Sequence, residues 1–187
     1  MALGHRKDVG LVVKTINSDK QPLRQSELNE AIKDLNAFIV DGELDRYQTL
    51  SLYAACDSYV SLHRAEGLGL AMAESMYLSK PVIATGYSGN MEFMNHHNSL
   101  PVKYQLVEIQ EDQSVYRKGQ WWAEPDIGHA AECMLSLVQD PDLCAKLGAR
   151  AREHIQTHFS LKKAQESMHS RLNEIVKTRD AQCGFLS

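Results

Sequence analysis

The chain has little of what would assign it to a class at once. Among its 187 residues there are four cysteines, Cys56, Cys133, Cys144 and Cys183, and no two form a C-x-x-C pair. That excludes a zinc ribbon or a dithiol redox motif, and the thiols read as free ones in a cytosolic protein. No apolar run approaches the ~20 residues that cross a bilayer. The start, Met1-Ala2-Leu3-Gly4-His5-Arg6-Lys7-Asp8, holds no apolar core of signal-peptide length. Twenty basic against twenty-four acidic residues leave a formal charge of -4. The basic residues are scattered, apart from Lys162 and Lys163, so a nucleic-acid footprint is not expected. No internal repeat or low-complexity segment stands out. Gly67-Leu68-Gly69 lacks the third glycine of G-x-G-x-x-G, which removes the usual dinucleotide fingerprint.

What is present is a core-forming α/β pattern. The apolar fraction is 43% and the charged fraction 24%, enough for one packed domain. Residues 9–15 read as a buried β-branched strand and 18–24 as a loop. A helix is expected over 26–37 with Ser26 as N-cap, then a short strand at Phe38-Ile39-Val40 and a turn at Asp41-Gly42-Glu43. A helix over 44–56 follows, then strands at 57–62 and 80–85 with a helix from Gly69 between them. Residues 86–90 read as a loop, 91–94 as one helical turn and 99–104 as a last strand. The stretch 107–125 reads as irregular. Asp126 and Asp140 cap two further helices, and a final amphipathic helix spans 161–177. Strands alternating with helices, then helices alone, predict a doubly wound parallel Rossmann-like sheet followed by C-terminal helices. The expected domain is 9–176, with flexible ends at 1–8 and 177–187.

The chemistry concentrates around Glu66 and Glu74. Glu66 follows a strand and opens Gly67-Leu68-Gly69-Leu70, whereas Glu74 interrupts an apolar helical run. Ligands of open α/β sheets bind past the strand C-termini, where a helix start offers free N–H groups. Gly67 and Gly69 let backbone approach a phosphate closely. Two carboxylates flanking such a turn suit the hydroxyls of a sugar and of a ribose. Together they imply a ligand with a diphosphate centre, a nucleotide-sugar.

The ordered set Cys56-Asp57, Glu66-Gly67-Leu68-Gly69, Glu74-Ser75-Met76, Lys80-Pro81-Val82-Ile83-Ala84-Thr85, Gly89 and Glu92 resembles the donor-binding half of the retaining GT-B glycosyltransferases of group 1, also called glycosyltransferase family 4. Asp140-Pro141-Asp142-Leu143, Leu147-Gly148 and His158-Phe159-Ser160 resemble that family's later helices. The resemblance covers residues 9–176. It implies a C-terminal GT-B half in which Glu66 is the catalytic residue and contacts the donor sugar's hydroxyls. The backbone of Gly67, Leu68, Gly69 and Leu70 would meet the diphosphate and sugar, Glu74 the ribose and Val40 the base. His63, Arg64 and Thr85 complete the expected donor-binding set. No metal or other cofactor is expected, because helix ends and basic side chains neutralise the diphosphate in that family.

The chain departs from the pattern in two places. The first strand–helix unit, with its diphosphate-clamping Arg and Lys, is missing, and so is an N-terminal acceptor domain. The expectation is a piece of a longer cytoplasmic enzyme of polysaccharide or glycoconjugate synthesis, inactive alone. Peripheral association at the inner face of a membrane is left open. Arg64 stands where small residues are usual; it either supplies part of the missing positive charge or is solvated. Alternative readings are a non-catalytic Rossmann-like interaction module and a fragment of a GT-B epimerase or phosphorylase. Several other residues have ordinary readings. Lys14 suits a strand cap and Glu92 a helix-start acid, and one of Trp121 and Trp122 suits packing beneath a loop. His96-His97 lacks a third ligand at suitable spacing for a metal.

Overall fold

The computed structural model describes residues 3, 4, 6–113 and 115–183. Five parallel strands fall into two sheets. β1 (Leu11–Thr15) pairs β2 (Ala37–Asp41), with Lys14 opposite Val40. β3 (Tyr59–Ser61), β4 (Val82–Thr85) and β5 (Leu100–Val102) pair in that order, with Tyr59 opposite Val82 and Ile83 opposite Leu100. Helix α1 (Pro22–Ile32) connects β1 to β2, α2 (Arg46–Ala55) connects β2 to β3, and α3 (Leu70–Tyr77) connects β3 to β4. After β5 come an antiparallel hairpin, β6 (Tyr104–Glu108) and β7 (Trp121–Pro125), and three helices, α4 (Ile127–Gln139), α5 (Pro141–His158) and α6 (Leu161–Cys183).

The core lies on both faces of β4, whose four residues are all buried. Val82 and Ala84 meet Met72 and Met76 of α3, Phe93, Met94, and Ala151 and Ile155 of α5. Ile83, facing the other way, meets Val102, Ala130, Cys133, Leu137 and Leu147. A strand covered on both faces by helices reads as a continuous apolar run, which is why Val82-Ile83-Ala84 shows no alternation. Each fully buried aliphatic side chain here contributes about 1.5–3 kcal/mol. The α/β fold with parallel strands, helices on two faces and trailing helices is the one the element order predicts.

Local chemistry sets the helix starts. Asp45 accepts the Gln48 N–H at 2.7 Å while Gln48 Oε1 accepts the Asp45 N–H at 3.0 Å, a complete capping box for α2. Asp126 and Asp140 cap α4 and α5 through the His129 and Leu143 N–H groups, as their sequence positions predict. Pro22 does for α1 what Ser26 was expected to do. A proline at N1 has a suitable φ and no N–H to satisfy, so the helix begins four residues before Ser26, within the expected loop.

Other expectations also change. Residues 107–125 are not irregular throughout, because the β6–β7 hairpin pairs Glu108 with Trp121 and Tyr104 with Pro125. The turn expected at 91–94 forms as a 3-10 turn at Gly89–Glu92. β1 is not buried: Leu11 and Val12 are exposed, as is Phe38 on β2. β-branched composition marks a strand but not its burial. The last helix runs on to Cys183 rather than ending at Lys177. No helix among the described residues is long and apolar enough to cross a membrane.

Candidate functional site

β3 ends at Ser61, and residues 62–69 form the turn into α3. Gly69 is the N-cap of α3 with φ 87°. This left-handed conformation strains any residue with a Cβ. A Cβ there would also lie 2.7 Å from Met72 Cε and 3.2 Å from Asn90 Cβ. Gly67 differs, since a Cβ built on it meets nothing within 4 Å. On its other side the turn is braced by Gly89, whose hypothetical Cβ would sit 1.9 Å from the Gly67 carbonyl oxygen and 3.0 Å from Leu68 Cα. Backbone therefore supports the turn from one side and leaves it open on the other. Leu68 and Leu70 are exposed.

Glu66 and Glu74 are both half-buried. Glu66 Oε1 accepts the N–H of Gly67 at 2.9 Å. Glu74 Oε1 accepts from Arg46 Nη1, at the start of α2, at 2.7 Å. Arg46 is itself mostly exposed. Tyr59 on β3 joins the two acids electrostatically. Its hydroxyl pKa is pushed up to about 12, chiefly by burial and then by Tyr53, Glu66 and Glu74. Tyr53 is raised too, by burial and then by Glu74, and its ring meets Tyr59 edge-on at 5.4 Å. Glu66 thus lies on the turn that leads to the free N–H groups of α3, and Glu74 on the second turn of that helix.

The remaining expected residues separate. His63 is engaged at both ring nitrogens: Nε2 lies 3.0 Å from the Tyr87 carbonyl and Nδ1 3.1 Å from Ser61 Oγ. The carbonyl can only accept, so Nε2 carries a proton, and in the neutral ring the Ser61 hydroxyl donates to Nδ1. Arg64 is exposed but paired: its Nε and Nη2 donate to Glu124 of β7 at 2.6 and 2.9 Å, and its guanidinium lies 4.6 Å from the Trp122 ring centroid. Thr85 is fully buried at the end of β4, and its hydroxyl has no partner among the described residues. Its carbonyl accepts from Asn90 Nδ2 at 3.0 Å. Val40 is half-buried in the other sheet, on β2. Lys14 beside it donates to the carbonyls of Thr15 and Gly42. Glu92, His96 and His97 are exposed. Among the described residues, no group of three or more side chains could hold a metal ion.

Sequence reasoning missed Arg46, Tyr59, Asn90 and Glu124. Asp45-Gln48 is a readable capping box that puts Arg46 on the first turn of α2, but only tertiary contact brings it to Glu74. Nothing local marks Glu124 as a partner of a residue 60 positions earlier.

Residues 9–154 match the family model described as glycosyl transferases group 1. The human alpha-1,3/1,6-mannosyltransferase ALG2 is 22% identical over 157 residues, which is 84% of this chain and 32% of that protein. The trehalose synthase of Pyrococcus horikoshii is 26% identical over 121 residues, 65% of this chain and 24% of that protein. The chain therefore spans a third or less of the length of these curated relatives. Among solved structures, sucrose-phosphate synthase from Thermosynechococcus elongatus superposes with a TM-score of 0.67 at 19% identity, over 95% of this chain and 41% of that one. Anabaena Alr3699/HepE in complex with UDP and glucose gives 0.65 at 19% identity, over 92% of this chain and 43% of that one. The shared architecture is that of the GT-B glycosyltransferases, and the chain belongs to the glycosyl transferases of group 1.

Proposed function

We propose that this chain binds the nucleotide-sugar donor of a retaining glycosyltransferase and needs an acceptor-binding partner domain to transfer the sugar. One observation carries this reading. Glu66 and Glu74 flank an open glycine turn at a strand's C-terminal end. Glu66 accepts hydrogen bonds from the sugar, the amides from Leu68 to Leu70 at the α3 start meet the diphosphate, and Glu74 holds the ribose. Arg46 is the counter-charge to Glu74. No metal takes part, since donors on backbone and helix end stabilise the leaving diphosphate. Glu66, at the sugar's hydroxyls, is the catalytic residue. The product belongs to polysaccharide or glycoconjugate synthesis on the cytoplasmic side.

The UDP in the Anabaena structure makes that nucleotide the first probe, with GDP beside it. Isothermal titration of the chain should give saturable binding of one of them without divalent cation, and Glu74→Ala should abolish it. Absence of heat with both at millimolar concentration, or binding indifferent to Glu74→Ala, would refute the assignment. The chain alone should show no sugar transfer from the donor it binds.

A further inference from the structure

Arg64 lies two residues before Glu66, and one strand holds it in three ways. Its Nε and Nη2 donate to Glu124 Oε2 and Oε1 at 2.6 and 2.9 Å. Its guanidinium lies 4.6 Å from the Trp122 ring centroid. Its own carbonyl accepts the N–H of Ala123 at 2.9 Å. Glu124, Trp122 and Ala123 are all on β7. Trp122 is braced in turn by the Tyr116 ring, edge-on at 6.0 Å.

A bidentate pair fixes the plane of the guanidinium as well as its position, and the aromatic face under it removes a further freedom. A lysine has no fork to do the same. On the other side, His63 is tied to the Tyr87 carbonyl and to Ser61. Residues 63 and 64 are thus fixed to two different elements. The hydrogen bond of Glu66, by contrast, goes to its own neighbour Gly67, so its place follows from where residue 64 is held. The ion pair is too exposed to matter much for stability: the side chains are 47% and 41% accessible. Its geometry is better than its contribution to stability requires.

We propose that Arg64, Glu124 and Trp122 are positioning residues, through which the β6–β7 hairpin sets the Glu66 carboxylate against the donor's sugar. The inference rests on the donor-binding reading above. It assigns the hairpin to the sugar end of the ligand and leaves the nucleotide end to Glu74. Substitutions along β7 should therefore change which sugars are held and leave the nucleoside diphosphate untouched.

The test is isothermal titration of the chain with UDP and UDP-glucose, and with GDP and GDP-mannose, across four proteins: the unaltered chain, Arg64→Lys, Glu124→Gln, and the exchange Arg64→Glu with Glu124→Arg. The two single variants should weaken the sugar nucleotide about fivefold relative to its own free diphosphate, as expected for one displaced hydrogen bond. The exchange should recover part of that ratio. Affinity for the free diphosphate should stay within about twofold, and thermal melts should stay near the unaltered chain because the pair is exposed. A purely structural role would weaken both ligands alike, and that result, or an unchanged ratio, overturns the proposal. If the unaltered chain binds none of the four ligands, the donor-binding reading falls and takes this one with it. Unaltered binding with an unchanged ratio in the variants sinks the hairpin's role alone.

Discussion

Gly89→Ala tests the architecture of the turn most directly. The new methyl would sit 1.9 Å from the Gly67 carbonyl oxygen, 2.8 Å from the Gly67 carbonyl carbon and 3.0 Å from Leu68 Cα. All three are backbone atoms, so no side chain can rotate away. The two segments would have to part by more than an ångström. Gly89 has no left-handed φ, so the effect is steric and not conformational. Overpacking against backbone costs about 3 kcal/mol, the upper end of the usual range. For a chain of this length that lowers the Tm by roughly 6–12 °C. Gly67→Ala supplies the control: its methyl meets nothing within 4 Å, so the Tm should hold while UDP or GDP binding falls. Differential scanning fluorimetry of both variants, paired with titration, separates the two effects. If Gly89→Ala melts with the unaltered protein, the close backbone contact does not exist and the braced-turn description is wrong.

Met76→Ala empties the centre of the helix–sheet interface and should destabilise by about 2–5 kcal/mol in urea unfolding. Arg46→Ala, by contrast, breaks a pair whose arginine is 76% exposed, and should change stability by less than about 1 kcal/mol. The raised Tyr59 pKa has a sign that can be checked. Folding holds the proton that the unfolded chain loses near the ordinary tyrosine value of 10.0, so this contribution to stability is full below about pH 10 and falls as pH climbs to about 12. Spectrophotometric titration should show one tyrosinate forming near pH 12, absent in Tyr59→Phe. Burial raises the thiols of Cys133 and Cys144, so both should react slowly with a disulfide reagent until the chain unfolds.

The helix starts were legible where a single side chain made them. Asp126 and Asp140 cap their helices through N–H groups three residues on, a contact that needs no tertiary structure. Val82-Ile83-Ala84 announced a strand buried on both faces. The misreadings also had local causes. Ser26 looked like a cap because its residue type suits one, but Pro22 can begin the helix earlier. The polarity of 107–125 concealed a hairpin, because β6 is mostly exposed and shows no clean apolar alternation. Leu11 and Val12 were assigned to a core by composition, and burial depends on what lies opposite, which a strand cannot encode by itself.

Of the site, the sequence alone determined the acid–glycine–glycine–acid order, the strand before it and the helix after it, because these depend on residue types at short spacing. It also carried the family, since an ordered set of short motifs survives where overall identity does not. Tertiary structure alone decided that Arg46 answers Glu74, that Tyr59 lies within the field of both acids, and that Arg64 belongs to β7. Those pairings join residues far apart in the chain, and the packing of α2, β3 and the hairpin around one turn creates them, not any local preference of the residues themselves.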